Sequence, residues 1–207
     1  MGSKYSNKCA GTFGLASCIS FYPAKILGTL GDAGIVLTND DEMYEKLLLY
    51  RNHGRDEEDD VAFWAFNSRM DNLHAAFLAM QFKGYTETIR RRREIASSYQ
   101  EQLGDLTELV LPPAPDSDPA HFDVFQNYEI EAERRDELKS FLAERGVGTH
   151  IQWGGKAVHQ FARLGFTQDL PHTTALMGRI LMLPLNLSLT DDEIDYVSNC
   201  LKAFYRS

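Results

Sequence analysis

Cysteine is scarce and unpatterned in this chain: Cys9, Cys18 and Cys200 are widely spaced and form no Cys-x-x-Cys pair. An odd, scattered set excludes a disulfide framework and a thiolate zinc site, and all three are expected to be reduced. Long apolar runs are also missing. No stretch approaches the roughly 20 residues of a membrane-spanning helix, and Met1-Gly2-Ser3 lacks the apolar core of a secretory signal. A cytoplasmic location follows as the expectation, and there the Asn186-Leu187-Ser188 triplet has no glycosylation consequence. Positive charge is in short supply. With 21 Lys and Arg against 30 Asp and Glu, the net charge is -9, which argues against a nucleic-acid or membrane-surface partner. The run Arg90 to Arg93 is the exception; lying inside a helical pattern, it is read as a solvated face, with a phosphate-contacting patch as the alternative. The carboxylates of Asp56 to Asp60 lack the spaced ligands and glycine of a calcium loop, so this segment is read as a solvated loop and no metal is expected. No internal repeat is present.

What the chain does contain suits a packed globular fold. Its 207 residues are 43% hydrophobic and 25% charged, enough for one large domain or two small ones. Residues 15–21 read as a strand and Ile35 to Leu37 as a second. Between them Lys25 precedes a glycine-punctuated turn, so its amine sits at the edge of a rigid element. A lysine amine so held is a candidate nucleophile towards carbonyl compounds and the usual anchor of pyridoxal phosphate, although a surface lysine in a loop has the same local pattern.

Helical periodicity marks several further elements. Asn39 with Glu42 suggests an N-cap, followed by Met43, Leu47 and Tyr50 at helical spacing, and Gly54 suits a left-handed cap at the end. Leu73, Phe77 and Met80 mark a second helix. Tyr85, Ile89, Ala96, Tyr99 and Leu103 mark a third, which joins the second as a bent interdomain helix or follows it. Pro112, Pro113, Pro115 and Pro119 lie in a loop. Phe122 to Ala132 reads as a strand, Glu133 to Arg145 as a helix and Val147 to Trp153 as another strand. Thr190 with Glu193 forms a capping box ahead of the stripe Ile194, Val197, Leu201 and Phe204. The alternation predicts a small α/β domain with helices on one face of a short sheet.

Four separated stretches, in order, carry a resemblance. They are Gly11-Thr12-Phe13-Gly14 with Ser20-Phe21-Tyr22-Pro23-Ala24-Lys25, Leu27-Gly28 and Gly31-Asp32-Ala33-Gly34; Arg51-Asn52-His53-Gly54; Asn67-Ser68-Arg69-Met70-Asp71 with Ala75-Ala76; and Leu183-Pro184-Leu185-Asn186. Together the chain resembles the DegT/DnrJ/EryC1/StrS family of sugar aminotransferases over nearly its whole length. The resemblance implies a fold-type I, pyridoxal-phosphate-dependent transferase of the α/β class. Family members have a large N-terminal portion ahead of these motifs, which supplies most of the parallel sheet, an aspartate for the pyridine nitrogen, a ring that stacks on the cofactor, and part of the phosphate cup. Met1-Gly2-Ser3 reads as a forced start, so residues 1–84 are expected to be a remnant of the large domain. Residues 85–207 are then a connecting helix and a small C-terminal domain.

The resemblance also assigns residues. Lys25 matches the Schiff-base lysine that binds the cofactor and moves a proton during turnover; some members carry histidine there and act as dehydratases, so lysine favours transamination. Ser20 matches a phosphate-binding serine. Asn67 matches an asparagine that reaches the cofactor phosphate of the partner subunit, which implies a homodimer with shared sites. Tyr22, Arg51, His53 and Arg69 lie in or beside the motifs as candidate substrate contacts. Gln152-Trp153-Gly154-Gly155-Lys156-Ala157-Val158-His159 departs from the family's common aromatic, proline-rich form, and Trp153 and His159 are candidate contacts to a sugar nucleotide. Competing roles stand beside these: strand packing for Ser20, helix capping for Asn67, turn shaping for Tyr22, a helix end for His53, core packing for Trp153 and a satisfied hydrogen bond for His159. The expected reaction moves an amino group, commonly from glutamate, to a keto-sugar nucleotide. The alternatives are a noncatalytic fragment that folds and dimerises, and a carbonyl enzyme that uses Lys25 without pyridoxal phosphate.

Overall fold

The structure is a computed structural model that describes residues 1–206. It divides into two compact units, Met1–Thr88 with Asp118–Val124, and Ile89–Ser117 with the chain from Phe125 onward. In the first unit the short strands β1 (Lys4–Tyr5) and β2 (Lys8–Cys9) pair antiparallel. Strand β3 (Ala16–Ser20) pairs antiparallel with β4 (Gly34–Thr38), from Ala16 opposite Thr38 to Ser20 opposite Gly34.

Helix α1 (Asp41–Arg51) is capped by Asp40, one residue later than the sequence suggests, because the Asp40 carboxylate accepts the Met43 N–H at 2.7 Å. Helix α2 (Asn72–Phe82) and helix α3 (Tyr85–Leu103) are separate. At Lys83 and Gly84 the backbone switches to tighter bonds, to Met80 and Gln81, which interrupts the ladder between them.

Helix α3 begins in the first unit and continues into the second, where β5 (Leu109–Val110) follows. Strand β6 (His121–Phe122) returns to the first unit and pairs with β1. The strand expected over 122–132 is therefore broken. Its second part, β7 (Tyr128–Ala132), belongs to the other unit, and Phe125 between them is buried in the left-handed region at φ 50°. Arg92 accounts for the break. This residue is only 7% exposed, and its guanidinium donates to the carbonyls of Phe125 (2.8 Å), Gln126 (2.7 Å) and Leu185 (3.1 Å).

The arginine run is thus a solvated face only at Arg90. Arg90 stays exposed and pairs with Glu94 one turn along the same helix, whereas Arg91 pairs with Asp191 at 2.8 Å and Arg93 with Asp116 at 2.5 Å, so Arg91 to Arg93 tie α3 to distant segments of the second unit.

The second unit carries the sheet β5-β7-β8, with β8 at Ile180–Leu183, all antiparallel. Its helices are α4 (Arg135–Ala143), α5 (Pro171–Met177) and α6 (Asp191–Tyr205). Strand β7 alternates, burying Tyr128, Ile130 and Ala132. They join Ile95, Tyr99 and Leu103 of α3, Leu138 and Leu142 of α4, and Ile194, Val197, Leu201 and Phe204 of α6 in one core. The Thr190–Glu193 capping box forms as the sequence predicts.

The strand expected over Val147 to Trp153 shrinks to one bridge between His150 and Met182. Beyond it Trp153, Gly154 and Gly155 are left-handed in succession, at φ 50°, 66° and 76°, which ends the extended backbone that strand pairing needs.

Candidate active site

The loop between β3 and β4 is closed from both ends. The Phe21 N–H donates to Ala33 at 2.9 Å and the Thr29 N–H to Phe21 at 2.8 Å, while Phe21 and Leu27 bury their side chains beneath. Inside this frame Tyr22-Pro23-Ala24-Lys25 makes a tight turn, with the Lys25 N–H bonded to the Tyr22 carbonyl at 2.8 Å and proline at the position whose φ it presets. Gly28 is required by the fold. A side chain there would meet the Tyr22 and Pro23 carbonyls at 2.7 and 2.8 Å. The loop therefore folds back on its own backbone and offers Lys25 to solvent, its ammonium without an ion-pair partner among the described residues.

Ser20 lies at the start of the same loop, where its hydroxyl accepts the Tyr22 N–H at 3.3 Å and keeps its own proton to donate. Tyr22 is exposed beside it. Thr29, 4% exposed at the loop's end, has a hydroxyl with no hydrogen-bond partner; nothing in the sequence pattern singles it out.

Asn67 is held by a different device. Residues 50–54 and 62–68 run side by side, with Phe66 donating to Tyr50, Ser68 to Arg51, His53 to Phe66 and Ala62 to Gly54, all at 2.8 to 3.0 Å. Asn52 and Asn67 face each other across this pair, and the Arg69 guanidinium donates to the Asn52 side chain at 2.8 Å. His53 and Gly54 are left-handed, so His53 shapes the end of α1 as its competing reading proposes. The Asn67 amide caps nothing: the cap of α2 is Asp71. A surface cavity of about 550 Å³ opens beside this pair, lined by His53, Arg55, Trp64 and Arg69 among others.

The lysine loop and the Asn67 segment share the first unit. A side chain at Gly31 would meet the His74 ring at 3.4 Å, which places the stretch after Lys25 against α2. Trp153 and His159 belong to the second unit. Trp153 is 79% exposed, which rules out core packing, and His159 shares a 3.1 Å hydrogen bond with the Thr174 hydroxyl.

This donor set suits a phosphate-bearing aldehyde. One uncommitted primary amine sits on a locked turn, with a hydroxyl five residues before it and an uncommitted amide in the same unit. The sequence profile of the DegT/DnrJ/EryC1/StrS aminotransferase family matches residues 1–202. The chain belongs to this family.

Among members of the DegT/DnrJ/EryC1/StrS family, the pleiotropic regulatory protein of Geobacillus stearothermophilus is 36% identical over 100% of this chain and 56% of its own length. The dTDP-3-amino-3,4,6-trideoxy-alpha-D-glucose transaminase of Streptomyces venezuelae is 36% identical over 89% of this chain and 48% of its own. The crystal structure of S. venezuelae DesV in complex with a ketimine intermediate superposes on 100% of this chain and 56% of its own, with a TM-score of 0.91 at 28% identity. The chain thus spans about half the length of the curated relatives it matches, and its mixed α/β architecture is that of the matching part of a sugar aminotransferase.

Proposed function

We propose that this chain is the lysine-bearing, C-terminal part of a pyridoxal-phosphate-dependent sugar aminotransferase, moving an amino group from glutamate to a keto-sugar nucleotide in deoxyamino-sugar or polysaccharide synthesis. One observation carries the reading: in a chain of this family, the loop closed by Phe21, Gly28 and Thr29 presents Lys25 with its amine unengaged. Residues 1–84 form its share of the large domain, and residues 85–207 the connecting helix and small domain. The reaction belongs in the cytoplasm.

Pyridoxal phosphate supplies the electron sink for the carbon that gains or loses the amine. Lys25 is the residue that would hold the cofactor through its aldehyde, and its amine would carry a proton between substrate carbon and cofactor carbon. The Ser20 hydroxyl would donate to the phosphate. Asn67 donates its amide to the phosphate in the partner subunit's site, which makes the working form a homodimer. Tyr22 and Arg69, with Trp153 and His159, contact the sugar nucleotide: an exposed indole offers an apolar face to a ring, and the imidazole a hydrogen bond.

The test is the visible absorbance of the purified chain with added pyridoxal phosphate, followed by borohydride reduction and peptide mapping. The expected result is one modified residue, Lys25, lost in Lys25→Ala. Scattered modification of several lysines, or no band, would leave a chain that folds without holding the cofactor.

A further inference from the structure

In the first unit Phe21, Leu27, Leu78, Tyr85 and Val124 are the buried apolar side chains, whereas the unit's one tryptophan is left out: Trp64 is 99% exposed. Its neighbour Phe63 is taken up in packing, with its ring 4.6 Å from that of Tyr50. An indole exposed to this degree forfeits the burial through which tryptophan stabilises a fold, so its use lies outside the folded chain.

Trp64 lines the cavity of about 550 Å³ beside the Asn52–Asn67 pair, a volume suited to a small organic ligand. Arg55, Arg69 and His53 line it as well, and among the described residues no carboxylate does. That is selective in a chain of net charge -9 whose acidic run, Asp56 to Asp60, directly follows Arg55. The Asp56 and Asp60 carboxylates are turned to the backbone, accepting the N–H groups of Glu58, Asp60 and Val61 at 2.8 to 3.1 Å. Only Asp59 reaches a lining guanidinium, that of Arg55 at 3.7 Å, and a pair between exposed side chains at this distance is weak. Arg69 gives one N–H to Asn52 at 2.8 Å and keeps the rest of its planar fork.

An aromatic platform flanked by guanidiniums has the chemistry of a nucleotide site, because the ring stacks a base and the forks take phosphate oxygens in pairs. A protein surface laid over the same cavity would bury both guanidiniums and would have to supply acceptors for each.

We infer that this cavity receives the nucleoside diphosphate end of the sugar nucleotide, with Trp64 stacking the base and Arg55 and Arg69 binding the diphosphate. The inference rests on the sugar-nucleotide reading above and adds Trp64 and Arg55 to it.

The test titrates the whole chain with dTDP, UDP and GDP, followed by tryptophan fluorescence and by calorimetry. Trp64 and Trp153 are the chain's two tryptophans, so single replacements assign the signal. Saturable quenching by at least one of the three nucleotides is expected, persisting in Trp153→Phe and vanishing in Trp64→Phe. By calorimetry, Trp64→Ala is expected to weaken binding at least ~5-fold through lost stacking, and Arg55→Met or Arg69→Met roughly 10-fold each through a lost charged hydrogen bond. Asp59→Asn, which releases Arg55, is expected to tighten binding about 2-fold. The Trp64 and Asp59 side chains are exposed, so these changes should leave the unfolding midpoint where it is and read binding alone. Quenching that survives in Trp64→Phe and is lost in Trp153→Phe places the nucleotide on the second unit and overturns the inference, while the sugar-nucleotide reading stands. Binding that Trp64→Ala and Arg55→Met leave unchanged overturns it too. So does the absence of binding by all three nucleotides, and trapping at Lys25 then reports separately on the aminotransferase reading.

Discussion

Gly54 is fixed twice over. Its φ is 73°, and a side chain would sit 2.1 Å from the Phe63 carbonyl oxygen. Gly54→Ala is therefore expected to cost about 2–4 kcal/mol in urea unfolding, combining left-handed strain with a backbone clash, and to disturb Asn67 through the paired segments. The sequence announced the left-handed glycine at the helix end; the approach of Phe63 is a long-range fact that no local pattern contains. Glu129 shows the opposite kind of legibility. Burial on β7 raises its carboxyl above the usual carboxylate range. A raised acid ionises more easily in the unfolded chain, so stability falls as pH climbs from the unfolded to the folded value and the penalty then persists. Glu129→Gln is expected to raise the urea midpoint at pH 8, and the gain should vanish as the pH falls below the carboxylate range. Lys25 and Ser20 are candidates by motif, whereas the unpartnered Thr29 hydroxyl has no sequence signal, because it is visible only once its neighbours are placed.

Among the elements, the helices with a clean apolar stripe and a cap were legible: α1 within a residue of its start, α3 to Leu103, and α6 with its capping box. Strands β3 and β4 were legible too, within a residue or two of their ends, but the later strands were not. Phe122 to Ala132 reads as one run because local propensity cannot see the Arg92 guanidinium, which gathers carbonyls from residues 33 and 93 positions away. Arg92→Met is expected to cost about 3 kcal/mol, since buried carbonyls lose a charged donor. The hydrogen exchange of β7 reports it, and Arg91→Met, at a partly exposed pair, should cost under about 1 kcal/mol. The Val147 to Trp153 run failed for the other reason: two glycines after Trp153 permit a left-handed path that the β-branched residues before them do not advertise.

For the molecule as a whole, the thiols report the division into units. Cys9 and Cys18 are exposed in the first unit and Cys200 is buried in the core of the second. A thiol reagent is expected to modify two sites at once and the third only as the second unit opens. Leu201→Ala, which empties a fully buried site and costs about 2–5 kcal/mol, should speed only the third. A single-phase reaction of all three would contradict a closed core. Family and overall class were legible at this scale because the motifs recur in order along the chain. The uneven interior was not, since apolar residues are spread through both units and only the structure shows which of them are covered.

The Arg92 staple also sets a schedule. Its acceptor at Leu185 lies 93 residues further on, and at about 5–20 residues per second the ribosome needs roughly 5–20 s to deliver it. Throughout that interval the nascent chain carries a charged group destined for burial and an α3 face, Ile95, Tyr99 and Leu103, with no sheet to lie on. The second unit therefore closes late, only once Leu185 and the strand before it have been made.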